Sequence, residues 1–247
     1  MSVATFETMG TVVSIRGADP TAAAEAHWVF AGYDRCYSLY DPSSVLSRIA
    51  AGDLRLVEAP QEVRDVYALA LEWRDRTGGA FTPHRPDGVL DLSGVVKALA
   101  IRDAGDVLDR MSEDWLLNAG GDVLARGRHR GVAPWSVGVV DPAHRDVVIG
   151  VAALESPRRA VATSGTAERG EHVWRRGTPT FVQATVVADD IVTADVLATA
   201  IVAGDADDLR RITADGSVDV LAFDVDGAVW ATPGADRMVR STTPASF

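Results

Sequence analysis

From about Gln61 to Thr77, Val63, Val66, Tyr67, Ala70, Leu71 and Trp73 recur at the spacing of one helix face, and Gly78-Gly79 ends the run. Pro20 and Thr21 open an Ala-rich stretch that predicts a second helix through about Tyr37. A third begins near Ser93 or Gly94, a fourth covers about 193–203 with Thr193 as its cap, and a short fifth covers 205–213. Elsewhere the period falls to two. Residues 3–16 alternate around β-branched side chains and are interrupted at Met9-Gly10-Thr11, which predicts two short strands with a tight bend at Gly10. The stretch from Trp115 to Gly165 is rich in strand-forming runs, another strand lies around 180–188, and VDVLAFDVDGAVWAT reads as a strand pair turning at Asp226-Gly227. Residues 40–48 and the FTPHRPDG segment read as polar loops, and the tail after about Arg237 as loosely held. Helices and strands mix without strict alternation. The pattern predicts an α+β fold, with mixed, mostly antiparallel sheets and packed helices, rather than a doubly wound sheet.

Composition narrows the picture. The chain has 247 residues, enough for one large domain over 1–247 or two tightly fused lobes. Its net charge of −11 disfavours a nucleic-acid partner, although a metal ion can reverse the field locally in a nucleotide pocket. No apolar run is long enough to predict a membrane span, and no basic patch followed by an apolar run marks a leader, so the expected compartment is the cytoplasm. Cys36, the single cysteine, lies on the Ala-rich helix and reads as core filler. The oligomeric state is left open by all of this.

Candidate chemistry lies in four places. Asp195 and Thr199 stand four apart, so both project from one helix face, and a carboxylate with a hydroxyl is hard-oxygen chemistry suited to Mg²⁺. The same residues also suit an ordinary helix N-terminus. In DLSGVVKALA, Asp91 precedes a Ser-Gly helix start that favours an anion, and Lys97 has the reach for a phosphate; a capped helix with a surface lysine is the plainer alternative. In NAGGD (118–122) two adjacent glycines suggest close backbone approach by a ligand, or a bulge. In ATSGTAERGEHVW, Ser164 lacks the flanking glycines of a nucleophile elbow, and His172 is the best-placed histidine for acid–base work.

The order of these segments adds what none carries singly. TMGTVVSI, YDPSSVLSR, TGGAFTP, DLSGVVKALAI, LLNAGGDVLARG, ATSGTAER followed by His172, and TADVLATAIVAG run from Thr8 to Gly204 and together resemble the ApbE family, the FAD:protein FMN transferases or flavin transferases. The resemblance implies a T-fold-like α+β scaffold that takes FAD as substrate with Mg²⁺ at its pyrophosphate. It implies transfer of FMN to a Thr hydroxyl of an acceptor protein with release of AMP; some members instead hydrolyse FAD to FMN and AMP. By the same resemblance Asp195, Thr199 and the Gly94 carbonyl are the metal ligands. Met9, Tyr40, Gly79, Ala80, Phe81, Asp91, Lys97 and Val173 are FAD contacts, Tyr40 being the flavin-facing aromatic, and His172 assists attack by the hydroxyl. The chain departs from the family where Phe81-Thr82-Pro83-His84 lacks the usual Asp, where the segment up to Asp91 is short, and in the block after His172. A non-catalytic flavin-binding module is the alternative these departures keep open.

Overall fold

The computed structural model describes residues 2–165, 177–235 and 238. Strands β1 (Val3–Thr8) and β2 (Thr11–Arg16) form a hairpin whose two turn residues, Met9 at φ 49° and Gly10 at φ 67°, are both left-handed, the geometry that matches strand twist in a two-residue turn. Helix α1 (Pro20–Tyr37) follows, with Pro20 in its first turn and the Asp19 carboxylate accepting the Thr21 N–H at 2.8 Å. Then come α2 (Val45–Ala50), α3 (Gln61–Arg76) and α4 (Ser93–Met111). The strand region comprises β3 (Trp115–Ala119), β4 (Asp122–Arg126), β5 (Arg128–His129), β6 (Ala133–Val140), β7 (Val148–Leu154), β8 (Ala160–Gly165) and β9 (Phe181–Ala188). Helices α5 (Ile191–Ala203) and α6 (Ala206–Thr213) precede β10 (Asp219–Asp224) and β11 (Val229–Ala231).

Among the described residues eight strands form one antiparallel sheet in the order β1-β2-β3-β4-β8-β9-β10-β11, and β5-β6-β7 form a second. The central strands of the large sheet are buried on both faces. Leu117, Leu124, Ala162, Val186 and Val220 join the helix-side core with α1, α4 and α5; their alternating neighbours Leu116, Val123, Val161, Val187 and Leu221 pack against Trp135, Val139 and Leu154 of the small sheet. This parity positions the site. Asp122 shares the face of Leu124, and Ser164 the face of Ala162, so both look toward the helices. Helix α5 is buried along nearly its whole length, so its polar side chains at 195 and 199 cannot both escape to water.

Two local expectations are corrected. The stretch 40–48 is not loop throughout: α2 starts at Val45 because the buried Ser44 hydroxyl accepts the Ser47 N–H at 2.9 Å. Helix α5 starts at Ile191, not 193, because the cap is Asp190; its carboxylate accepts the Thr193 N–H at 2.9 Å, and the Thr193 hydroxyl donates to it as well. The tail after Arg237 lies outside the described residues except for Met238. No described helix is long and apolar enough to cross a membrane.

Candidate active site

The cleft is built by the start of α4, the last turns of α5 and the segment leading out of α3. Thr77, fully buried at the end of α3, donates its hydroxyl to the Trp73 carbonyl at 2.8 Å and accepts the Phe81 N–H at 3.1 Å. Arg211 of α6 donates to the Thr77 carbonyl at 2.8 Å, pinning the same turn from outside. Gly78 and Gly79 take left-handed φ values of 58° and 80°, so the chain reverses there and delivers Ala80 and Phe81 inward. The Phe81 ring then lies so close to the backbone of α4 that a Cβ on Gly94 would stand 2.9 Å from its Cε2. Close approach therefore requires glycine at 94. Asp91 accepts the Ser93 N–H at 2.9 Å, and its own N–H donates to the Pro83 carbonyl at 2.9 Å, tying the start of α4 to the Thr82–His84 loop.

Ala80, Phe81, Thr82, Asp91, Ser93, Gly94, Thr199 and Ala203 line one narrow cleft. Five residues singled out from the sequence (Ala80, Phe81, Asp91, Gly94 and Thr199) thus come from three distant segments to one place. Gly94 faces Thr199, and one turn on Lys97 faces Asp195, so α4 and α5 run antiparallel here. The Thr199 hydroxyl is 3.1 Å from the Ser164 hydroxyl on β8.

Lys97 takes neither of the places weighed for it in the sequence. It is neither on the surface nor aimed into the cleft; its ammonium contacts the Asp122 carboxylate and stands 3.7 Å from Asp195 Oδ2, with all three residues buried. The NAGGD glycines form a two-residue hairpin turn between β3 and β4, not a bulge: Gly120 and Gly121 have φ 62° and 97°, and the Asn118 side chain accepts the Gly121 N–H at 2.9 Å. Met9 is half-buried against the helix-side core, Tyr40 is 87% exposed, and neither lines the cleft; Gly79 precedes its first lining residue. His172 and Val173 lie outside the described residues. Asp122 and Ser164 are polar groups of this region that were not chosen from the sequence as site residues. The signal for Asp122 was an acid at the first position of an apolar strand straight after two turn glycines. Cys36 is half-buried, and burial first, then the Glu62 charge, push its thiol up, which fits packing and not reactivity.

Among the described residues no three His, Cys, Asp or Glu side chains gather as a metal site. One carboxylate, one hydroxyl and one backbone carbonyl across the α4–α5 contact instead suit a hard cation that keeps part of its shell for water and phosphate oxygens, and Mg²⁺ has that preference. The donors present therefore fit that ion.

Solved structures share the fold, among them the following three. The ApbE protein of Thermotoga maritima is 23% identical with a TM-score of 0.79, covering 97% of this chain and 99% of its own. The flavin transferase ApbE of Vibrio cholerae is 21% identical with a TM-score of 0.78, covering 96% and 98%. The flavinyl transferase ApbE of Pseudomonas stutzeri, in its apo form, is 19% identical with a TM-score of 0.79, covering 97% of each chain. No curated protein matches in sequence. The family model of ApbE matches residues 9–85 and 82–222. Those two matches take in β2, α4, α5 and every cleft residue described above, and on them this chain belongs to the ApbE family.

Proposed function

We propose that this protein is a flavin transferase that moves FMN from FAD to a Thr hydroxyl of an acceptor protein, with Mg²⁺, and releases AMP. The observation that carries the reading is the convergence of Ala80, Phe81, Asp91, Gly94 and Thr199 on one cleft, with Asp195 one turn earlier in α5. The family membership and the names of the three structural neighbours support flavin transfer as its chemistry. One domain over 1–247 would carry the whole reaction.

In the reaction the acceptor oxygen bonds to the FMN phosphorus, the bond from that phosphorus to the bridging oxygen breaks, and AMP leaves with that oxygen. Asp195, Thr199 and the Gly94 carbonyl would hold Mg²⁺, which when bound supplies charge neutralisation at the diphosphate. Ser164, 3.1 Å from the Thr199 hydroxyl, would orient it; with the Thr199 proton donated to Ser164, the Thr199 lone pairs are left for the cation. Phe81 walls the cleft against Gly94. At the start of α4 the Ser93 N–H is held by Asp91 and those of Val95 and Val96 by the Leu92 carbonyl, so it is the Gly94 N–H that would meet a phosphate oxygen and offset the net charge of −11 locally. His172 is our candidate to take the proton of the acceptor hydroxyl.

The test is to incubate the protein with FAD, Mg²⁺ and a candidate acceptor, and to measure AMP together with covalent flavin on the acceptor by mass and in-gel fluorescence. Equimolar AMP and flavinylated acceptor is the expected result. AMP with free FMN and no acceptor dependence would make it an FAD pyrophosphatase, and bound FAD with no AMP under any condition would make it a flavin-binding module.

A further inference from the structure

Three charged side chains from three elements meet out of water: Asp122 of β4 is 0% exposed, Asp195 of α5 is 4%, and Lys97 of α4 is 8%. Buried charges persist when they are paired, so the way one ammonium is shared between two carboxylates is a functional choice as well as a structural one. Here the sharing is unequal. Lys97 Nζ is in contact with Asp122 Oδ2 and is 3.7 Å from Asp195 Oδ2, short of the roughly 2.8 Å of a charge-assisted hydrogen bond. Asp122 is itself anchored, since its other oxygen accepts the Thr163 N–H of β8 at 3.3 Å and its backbone sits in the β3–β4 ladder. The lysine stem is flexible and the gap to Asp195 is small, so the anchored carboxylate is what decides where the ammonium stays.

We propose that Asp122 is a positioning residue for cation binding: it holds the Lys97 ammonium away from Asp195, so that the Asp195 carboxylate serves a divalent cation instead of the lysine. This rests on the reading of Asp195 as a metal ligand. Without the Asp122 charge, Lys97 closes on Asp195, and a cation arriving there meets both a competitor for the carboxylate and a like charge beside it. A purely structural Lys97–Asp122 pair would affect stability but not the affinity for a metal in any way that removing the lysine could reverse.

The experiment is a Mn²⁺ titration of the full chain, following free Mn²⁺ by electron paramagnetic resonance, with thermal melts in parallel. Asp122→Asn is expected to weaken Mn²⁺ binding about 10–100-fold, the range for groups that orient metal ligands. The double variant Lys97→Met with Asp122→Asn removes both charges and is expected to restore wild-type affinity. Unchanged affinity in Asp122→Asn overturns the proposal, as does a loss that persists in the double variant. Should Asp122→Asn not fold, the double variant decides alone, and binding weaker than wild type overturns the proposal. Wild type that binds Mn²⁺ no better than Asp195→Ala overturns the metal assignment beneath it, a separate and recognisable failure.

Discussion

Gly94→Ala sets two effects of known size against each other. The new methyl group lies 2.9 Å from Phe81 Cε2, nearer than ordinary carbon contacts, and Phe81 is only 3% exposed, held by the Thr77 hydroxyl at its backbone N–H. Overpacking of this kind costs about 1–3 kcal/mol. Alanine in a helix returns at most ~1 kcal/mol over glycine, and less in a first turn. The steric effect wins, leaving a net loss of about 1–2 kcal/mol. For a chain of 247 residues each kcal/mol moves Tm by roughly 2–4 °C, so the variant melts about 2–8 °C lower. The substitution keeps the Gly94 carbonyl but displaces a wall of the cleft, so FAD-dependent AMP release falls further than the melt alone accounts for. Adding Phe81→Leu relieves the clash, and the pair costs less than the sum of its members. Thermal melts and AMP release for wild type, both single variants and the double variant measure this. A Gly94→Ala protein with unchanged or raised Tm refutes the close approach of ring and helix.

Asp195→Ala leaves Lys97 its contact with Asp122, so the fold survives while metal-dependent AMP release drops roughly 10²-fold or more; wild-type turnover in that variant contradicts the metal assignment. Ser164→Ala removes the partner of the Thr199 hydroxyl, and the Mg²⁺ concentration for half-maximal turnover rises about tenfold without a change in melting; an unmoved Mg²⁺ curve contradicts the positioning role of Ser164. In α1, burial, then a 2.6 Å hydrogen bond to Asp103, push the Tyr33 hydroxyl well above its ordinary value. The folded state therefore keeps that proton when the unfolded chain begins to lose it near pH ~10, and stability falls as pH rises further. Urea midpoints measured across the alkaline range should fall less steeply in Tyr33→Phe than in wild type, and parallel slopes would remove Tyr33 from the account.

The helices were legible because their cues are local. Pro20, the Gly78-Gly79 stop and the periodicity of α3 each act within a few residues, and the observed α1 and α3 ends fall within a residue of expectation. The exception is the start of α5, where Asp190 is the cap and not Thr193, because a carboxylate can hold both the N–H and the hydroxyl of Thr193. The second sheet was not legible as a layer. Runs such as WLLNA announce burial on both faces, yet nothing local says that β6 and β7 supply the second cover. The cleft was legible only through the order of segments along the chain, since Ala80, Gly94 and Thr199 are unremarkable singly. The burial of Lys97 was hidden for a related reason. Its partners lie 25 and 98 positions downstream, and no periodicity encodes such a meeting.

Nearly every side of α5 is walled in, and its donors at 195 and 199 meet α4 through the middle of the protein rather than through a loop at its rim. Displacing those groups from one another by local fluctuation would mean prising two central helices apart, an opening about as costly as global unfolding. Heat inactivation should therefore track the calorimetric transition closely, and amides flanking the donors should exchange with deuterium among the slowest in the molecule. A catalyst arranged in this way has no intermediate temperature range in which it stays folded yet idle.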